Sequence, residues 1–264
     1  MKSLHVSGNR RKLLTGAAAV GAGSALVLAL DACSTDTGGA AASETATAAT
    51  EVPDLKDLET AEEIWDALLE GNQRWAAGAP VHPGTDPETR QELVEGQAPR
   101  AAVFTCVDSR VAPELVFDTG VGDIMVTRTA ANTFDPLVSE SVSYGPAALE
   151  APLLVVLGHQ KCGAVTAAHD ALAAAEEGEE AEDHGYALPE IVASLTPAYE
   201  AAKAESGDGA SGDPVDAMIA ANVALTVQAL KEHPNLAELV ADGELTVVGA
   251  VYSLETGVVT EIEV

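Results

Sequence analysis

The sequence predicts an α/β fold in which a mainly parallel β-sheet is flanked by helices within a single domain. Short apolar runs of strand length recur between residues 101 and 252, and the segments between them have helical spacing. Strands that alternate with helices form parallel sheets covered by those helices. The 264 residues, 47% of them apolar, are enough to build such a core.

The first predicted element is an amphipathic helix that begins near residue 61. Ile64, Leu68 and Trp75 fall on one stripe of this helix, and Thr60 stands where an N-cap is expected. We expect the stripe to pack either on the core or on a partner subunit. Proline, glycine and aspartate residues between 80 and 87 then mark a loop.

Four apolar runs predict the strands of the sheet, at residues 101–106, 123–128, 153–159 and 245–252. A helical stretch around 139–150 separates the second run from the third, and a hairpin through 255–257 leads to a last strand at 258–262. Ligands of parallel sheets bind beyond the carboxyl ends of the strands. Cys106 and His159 end two of these runs.

An acidic insert is predicted from about residue 170 to 216. Its outer parts have helical composition, and its Gly, Asp and Ser clusters predict solvated loop. The spacing of its acidic residues is not that of an EF-hand, which argues against a calcium site. The formal net charge of the chain is −29, and such a surface repels phosphate backbones, so nucleic acid is excluded as a partner.

The N-terminal 32 residues resemble a twin-arginine signal peptide, because Arg10 and Arg11 precede an apolar stretch over residues 13–30. An uncleaved membrane anchor is the competing interpretation. Cys33 follows in a lipobox-like setting and is the predicted lipidation site, the alternative being its loss by cleavage. Residues 33–53 then predict a flexible tether, and residues 54–264 a catalytic domain. We expect a lipid anchor on the outer face of the cell membrane, or a periplasmic or secreted protein.

Cys106, His159 and Cys162 carry the most informative chemistry. Two thiolates and one imidazole form a ligand set for zinc and leave a fourth position for water. A disulfide between the two cysteines is the structural alternative in an exported protein, although it leaves His159 unexplained. Asp108 and Arg110 follow directly after the first cysteine. A carboxylate there can bind the metal, or accept a hydrogen bond from water while the guanidinium holds it; alternatively, Asp108 merely caps a turn.

The motifs resemble those of the β-class carbonic anhydrases over about residues 60–264. The matching segments are Cys106-x-Asp108-x-Arg110, Gly158-His159-x-x-Cys162-Gly163 and Gly249-x-x-Tyr252. The resemblance implies that Cys106, His159 and Cys162 bind one Zn²⁺ per subunit, and that Asp108 and Arg110 form a catalytic dyad. It also implies the reversible hydration of carbon dioxide to bicarbonate, in a homodimer or a higher even oligomer.

The same resemblance implies two substrate-binding residues, Gln97 and Tyr144. The backbone N–H of Gly163 is a third candidate, because it can stabilise the negative charge that develops on a bicarbonate oxygen. Members with a bicarbonate-operated switch carry tryptophan three residues before the first cysteine, where this chain has Val103. The chain therefore resembles the open, plant-like type that lacks this switch.

Two other functions fit the same residues. Carbonyl sulfide and carbon disulfide hydrolases resemble this family and use the same zinc ligands on related linear substrates. An extracytoplasmic zinc-binding lipoprotein is the non-enzymatic alternative. It calls for additional exposed ligands, whereas the remaining candidates, His82, His169, His184 and His233, are scattered singly.

Overall fold

A mainly parallel sheet organises the described part of the chain. The computed structural model describes residues 52–179, 188–206 and 212–264. The predictions for the signal peptide, for Cys33 and for the tether up to residue 51 lie outside these residues. Within the described ranges, no helix is both long enough and apolar enough to span a bilayer.

Five strands of the described residues form one sheet in the order β2-β1-β3-β4-β5, with the first four parallel and β5 antiparallel to β4. Their bounds are Ala101–Cys106 for β1, Ile124–Thr129 for β2, Leu153–His159 for β3, Thr246–Tyr252 for β4 and Val259–Glu261 for β5. The α/β prediction is confirmed. The first four strands begin and end within one residue of the predicted runs, and the hairpin strand is shorter than predicted.

Eight α-helices of the described residues surround this sheet. They are α1 (Ala61–Ala76), α2 (Pro87–Glu92), α3 (Pro113–Val116), α4 (Pro136–Leu149), α5 (Gly163–Glu177), α6 (Pro189–Ser206), α7 (Pro214–Lys231) and α8 (Ala237–Ala241). The acidic insert is thus largely helical, since α6 and the end of α5 fall within it. Its residues 180–187 and 207–211 lie outside the described residues.

Helix α1 begins at the predicted cap. The backbone N–H of Glu63 donates to Thr60 Oγ1 at 3.2 Å, and the N–H of Thr60 donates back to the Glu63 carboxylate at 3.0 Å, which is a capping box. Ile64 and Leu68 are fully buried in the core of the chain's own sheet. The stripe therefore packs on this core, and Trp65 extends it by donating from Nε1 to Glu261 at 2.8 Å.

The two faces of the sheet are covered by different helices. Along β1, Val103 packs toward α1 and α3, and Phe104 packs toward α4 and α7. Both side chains are buried to 1% exposure or less, which explains why the strand reads as a continuous apolar run rather than an alternating one. Because every residue of β1 is buried, the packing of the strand fixes the position of Cys106 at its end.

The strand order reverses between β1 and β3. The chain passes from β1 to β2 on one side and then crosses to β3 on the other. Crevices at such a reversal are where ligands bind in open α/β sheets. Cys106 ends β1 and His159 ends β3, so the two residues lie on either side of this crevice.

Candidate metal centre

Cys106, His159 and Cys162 converge at the carboxyl ends of β1 and β3. Their ligand atoms lie within 4.8 Å of one another, and all three residues are buried. Cys162 reaches the group because a tight turn follows β3, with Lys161 in the left-handed region at φ 55°. This cysteine is also the N-cap residue of α5. In the described part of the chain, no other group of three such residues is found.

The two cysteines are free thiols with their sulfur atoms 3.9 Å apart. A disulfide requires a separation of about 2.05 Å. By contrast, two sulfurs that each lie about 2.3 Å from one tetrahedral metal ion are about 3.8 Å apart. The spacing therefore fits two ligands of one metal ion.

His159 presents an unpartnered nitrogen to the two sulfurs. Its Nδ1 lies 3.0 Å from the carbonyl oxygen of Gln160, which accepts the ring N–H. Its Nε2 is buried without a hydrogen-bond partner. A buried nitrogen in this position is costly unless something binds its lone pair, and a backbone acceptor on the other ring nitrogen is the usual arrangement of a metal-binding histidine. The ring thus fits the role of third ligand.

The local electrostatics favour a thiolate at Cys106. The adjacent Cys162 thiol lowers the pKa of Cys106 against the effect of burial, and His159 acts in the same direction. The backbone N–H of Ala131 also points to the Cys106 sulfur at 3.3 Å. The Cys106 thiolate and burial raise the pKa of Cys162, and the first backbone N–H groups of α5 oppose this rise. A cation placed between the two sulfurs would favour the thiolate form of both.

Asp108 is held by Arg110 beside this cluster. The Arg110 Nε and Nη2 atoms donate to the two carboxylate oxygens at 2.9 and 2.7 Å, and the Arg110 backbone N–H donates at 2.9 Å. Arg110 also donates to the carbonyl of Lys161 at 3.1 Å, which connects the loop that follows β1 to the loop that follows β3. These hydrogen bonds lower the pKa of Asp108 to about 2. The carboxylate is therefore ionised, and its Oδ2 lies 3.9 Å from His159 Nε2.

A cavity of about 410 Å³ opens beside Cys106, Asp108 and Cys162. Its outer wall includes Leu188 and Ile191, at the start of α6. The acidic insert therefore supplies apolar surface to the site. The walls are mostly apolar and suit a small uncharged molecule.

The structure places Gly163 beside the candidate metal ligands of the same chain. It places neither Gln97 nor Tyr144 there. Gly163 lines the cavity as the first residue of α5. Gln97 is exposed before the amino end of β1 and lines a shallow pocket near the start of β2. The length of β1 alone separates that end from Cys106 by about 16 Å. Tyr144 is 52% exposed on α4, beside a glycine that faces the amino half of β1.

Three contributors to the site were not predicted from the sequence. Arg128 holds the loop after β1 by donating to the carbonyls of Cys106 and Asp108 at 2.8 and 2.6 Å. Asn132 and Asn222 hold the turn that follows β2. An asparagine three residues after a strand and another within an apolar helix are the sequence signals of these roles, since an amide removed from water needs partners.

Comparisons of the sequence and of the structure with known proteins point to the same family. Residues 101–259 match the carbonic anhydrase family. Carbonic anhydrase 2 of Mycobacterium tuberculosis is 41% identical over 194 residues, covering 73% of this chain and 88% of that protein. A Coccomyxa β-carbonic anhydrase solved in complex with acetazolamide has a TM-score of 0.56 at 26% identity, covering 74% of this chain and 84% of the other. A tetrameric β-carbonic anhydrase of Sordaria macrospora shares the fold, with a TM-score of 0.58 at 24% identity and coverage of 76% and 98%.

Proposed function

The chain belongs to the β-class carbonic anhydrase family and is a carbonic anhydrase enzyme, and we propose that it hydrates carbon dioxide reversibly with Zn²⁺ held by Cys106, His159 and Cys162. The observation that carries the zinc assignment is the buried, unpartnered Nε2 of His159 facing two sulfurs 3.9 Å apart. Two thiolates and an imidazole are donors that zinc prefers. When bound by these residues, Zn²⁺ would lower the pKa of water to about 7 and would so supply a nucleophile near neutral pH.

Asp108 orients that water in this proposal. Its carboxylate stays ionised because Arg110 holds its pKa at about 2, so it accepts a hydrogen bond at any physiological pH. Each carboxylate oxygen is already engaged by Arg110, which would disfavour direct binding of Asp108 to the metal. The dyad would therefore leave one metal position available to water.

The cavity beside the cluster receives carbon dioxide. Val107, Ala130 and Ile191 give it apolar walls, which suit a small molecule without net charge. The Gly163 N–H belongs to the first turn of α5, whose N–H groups have no partner within the helix. It is placed to donate to an oxygen that gains negative charge as bicarbonate forms.

Gln97 and Tyr144 act from a second copy of the chain, in a homodimer or a higher even oligomer. Support comes from their separation from the metal cluster of their own subunit and from the tetrameric state of the Sordaria macrospora relatives. The test mixes two inactive variants, Cys106→Ser and Gln97→Leu, by partial unfolding and reassociation. Recovery of activity is expected, because one site of the mixed dimer combines intact ligands with an intact Gln97. Absence of recovery in verified mixed dimers contradicts a role across the interface.

Export through the twin-arginine route with lipidation at Cys33 completes the proposal. Its support is the sequence around Arg10, Arg11 and Cys33. The expected results in a bacterial host are incorporation of labelled palmitate into the full chain and its loss in Cys33→Ser. Label retained in Cys33→Ser, or a chain confined to the cytoplasm, contradicts this part.

The deciding experiment measures zinc content and stopped-flow hydration of carbon dioxide on the full chain. One zinc per subunit and rapid hydration are expected. Asp108→Asn should keep zinc and lose about 100-fold in hydration, since general-base contributions are typically of this size; Ser109→Ala, at the exposed neighbouring position, is the matched control. Unchanged hydration in zinc-loaded Asp108→Asn contradicts the dyad role. Faster release of sulfide from carbonyl sulfide than hydration of carbon dioxide assigns the site to the sulfur analogue instead.

A further inference from the structure

The turn at Ala130–Asn132, which follows β2, contacts the metal cluster although it contributes no ligand side chain. We propose that Asn132 and Asn222 are positioning residues that hold this turn, so that the backbone N–H of Ala131 fixes the Cys106 sulfur in its metal-binding position. The inference rests on the zinc site proposed above. It assigns a function to two side-chain amides, one buried and one partly buried, that take no part in the dyad or the cavity wall.

The backbone of this turn is unusual. Ala131 and Asn132 are consecutive left-handed residues, with φ of 55° and 56°, and both are almost fully buried. Alanine rarely adopts this conformation because its Cβ crowds the backbone. Such strain persists only where the surroundings enforce it, and it concentrates at functional sites.

Two asparagine side chains enforce it here. The Asn132 Nδ2 donates to the carbonyls of Phe104 and Leu157, each at 3.1 Å, and so joins the turn to both β1 and β3. The Asn222 Nδ2, from α7, donates to the carbonyl of Ala131 at 2.8 Å. The strained peptide is thus held from the sheet on one side and from a helix on the other.

The consequence is a directed hydrogen bond. With its carbonyl held by Asn222, Ala131 has its own N–H aimed at the Cys106 sulfur at 3.3 Å. Hydrogen bonds to a ligand orient it and tune how strongly it binds a metal. If the turn relaxed to right-handed backbone, this N–H would leave the sulfur. Asn222 therefore acts on the metal through the two peptide groups that flank the Ala131 Cα, and it touches neither metal nor substrate.

The test compares the release of zinc from the loaded full chain to the chromogenic chelator 4-(2-pyridylazo)resorcinol. Asn222→Ala is expected to release zinc about tenfold faster, the lower end of losses on removing outer-shell contacts. Asn222→Asp keeps the shape but replaces the donor by an acceptor, so we expect at least the same acceleration. In cobalt-substituted protein, the sulfur-to-cobalt charge-transfer band should shift in both variants.

Thr226→Val is the matched control. Thr226 lies one turn further along α7, is buried, and donates only to the backbone carbonyl of Asn222. Zinc release within twofold of the wild type is expected for it, whatever its thermal stability. The proposal is overturned if folded Asn222→Ala and Asn222→Asp retain wild-type release rates and an unshifted cobalt band, or if Thr226→Val accelerates release as much as they do. Absence of zinc in the wild-type protein refutes the proposed function instead.

Discussion

Replacing Arg110 by glutamine tests whether the dyad reserves the metal position for water. The change removes the two side-chain hydrogen bonds at 2.9 and 2.7 Å to the Asp108 carboxylate and leaves the one from the backbone N–H. Asp108 Oδ2 lies only 3.9 Å from His159 Nε2, so a freed carboxylate is close enough to compete for the metal. We therefore expect Arg110→Gln to keep its zinc and to lose hydration activity.

The size of the loss in activity follows from the strength of the paired hydrogen bonds between Arg110 and Asp108. The pKa of Asp108 falls from 3.8 to about 2, mainly through its hydrogen bonds from Arg110, which corresponds to at most about 2 kcal/mol. Arg110 is 51% exposed at its side chain, and solvent screening reduces the effective value to about 1 kcal/mol. That free energy is roughly a five- to tenfold change in the balance between a carboxylate held by Arg110 and one bound to the metal. A fall in kcat/KM of about tenfold is expected.

Stopped-flow hydration of carbon dioxide by zinc-loaded protein measures this change, with metal content determined on the same samples. Lys203→Gln is the control for loss of one positive charge, because Lys203 on α6 forms an exposed ion pair with Glu176 on α5. It should match the wild type. The reasoning is refuted if Arg110→Gln carries a full complement of zinc and hydrates carbon dioxide within twofold of the wild-type rate.

Three further changes test the apolar wall, the metal's contribution to stability and a buried carboxylate. Ile191→Asp places a charge in the cavity wall and should raise KM for carbon dioxide about fivefold with a smaller change in kcat. An unchanged KM contradicts a role for Ile191 in binding the substrate. Stripping zinc with dipicolinate should lower Tm by about 10 °C, the equivalent of about 4 kcal/mol of bound ligand, and added zinc should restore it; equal Tm values for both forms argue against the site. Asp118→Asn should cost about 2 kcal/mol in urea unfolding at pH 7, because the buried carboxylate accepts from Arg74 Nε at 2.7 Å and from two backbone N–H groups. Although burial opposes them, these contacts lower the pKa of Asp118 below its ordinary 3.8. The loss in free energy of unfolding should therefore be complete above pH 4 and should disappear as the pH falls through the folded-state pKa. A loss that is the same at pH 3 and pH 7 contradicts this origin.

The strands and the metal cluster were predictable from the sequence because both depend on short-range patterns. A fully buried parallel strand reads as an unbroken apolar run, which placed β1 and β3 at their observed bounds. Once those strands are fixed, the parallel register brings their carboxyl ends together, and the ligands that follow them must meet. The spacing of His159 and Cys162 needs only the tight turn at Lys161.

The parts that were not predicted depend on contacts between distant segments. Nothing local to Asn222 shows that its amide reaches a turn 91 residues earlier in the chain. Likewise, the acidic composition of the insert indicates exposed surface and does not reveal that Leu188 and Ile191 turn toward the cavity. Gln97 and Tyr144 were assigned through the resemblance alone, and they lie away from the cluster of their own chain, so their proposed role depends on a second subunit.

The charges within the site contrast with those of the chain as a whole. Arg110 neutralises Asp108, and a divalent cation bound at the cluster would neutralise two thiolates, so the loaded cleft carries almost no net charge in a protein whose formal charge is −29. An uncharged substrate therefore meets no electrostatic barrier on entry, whereas the anionic product is repelled by the acidic surface once it leaves. This argument predicts that raising the salt concentration, which screens the surface charge, should leave kcat/KM for carbon dioxide hydration unchanged and should lower KM for bicarbonate in the reverse reaction. A salt-independent KM for bicarbonate, measured by stopped-flow dehydration, would show that the surface charge plays no part in turnover.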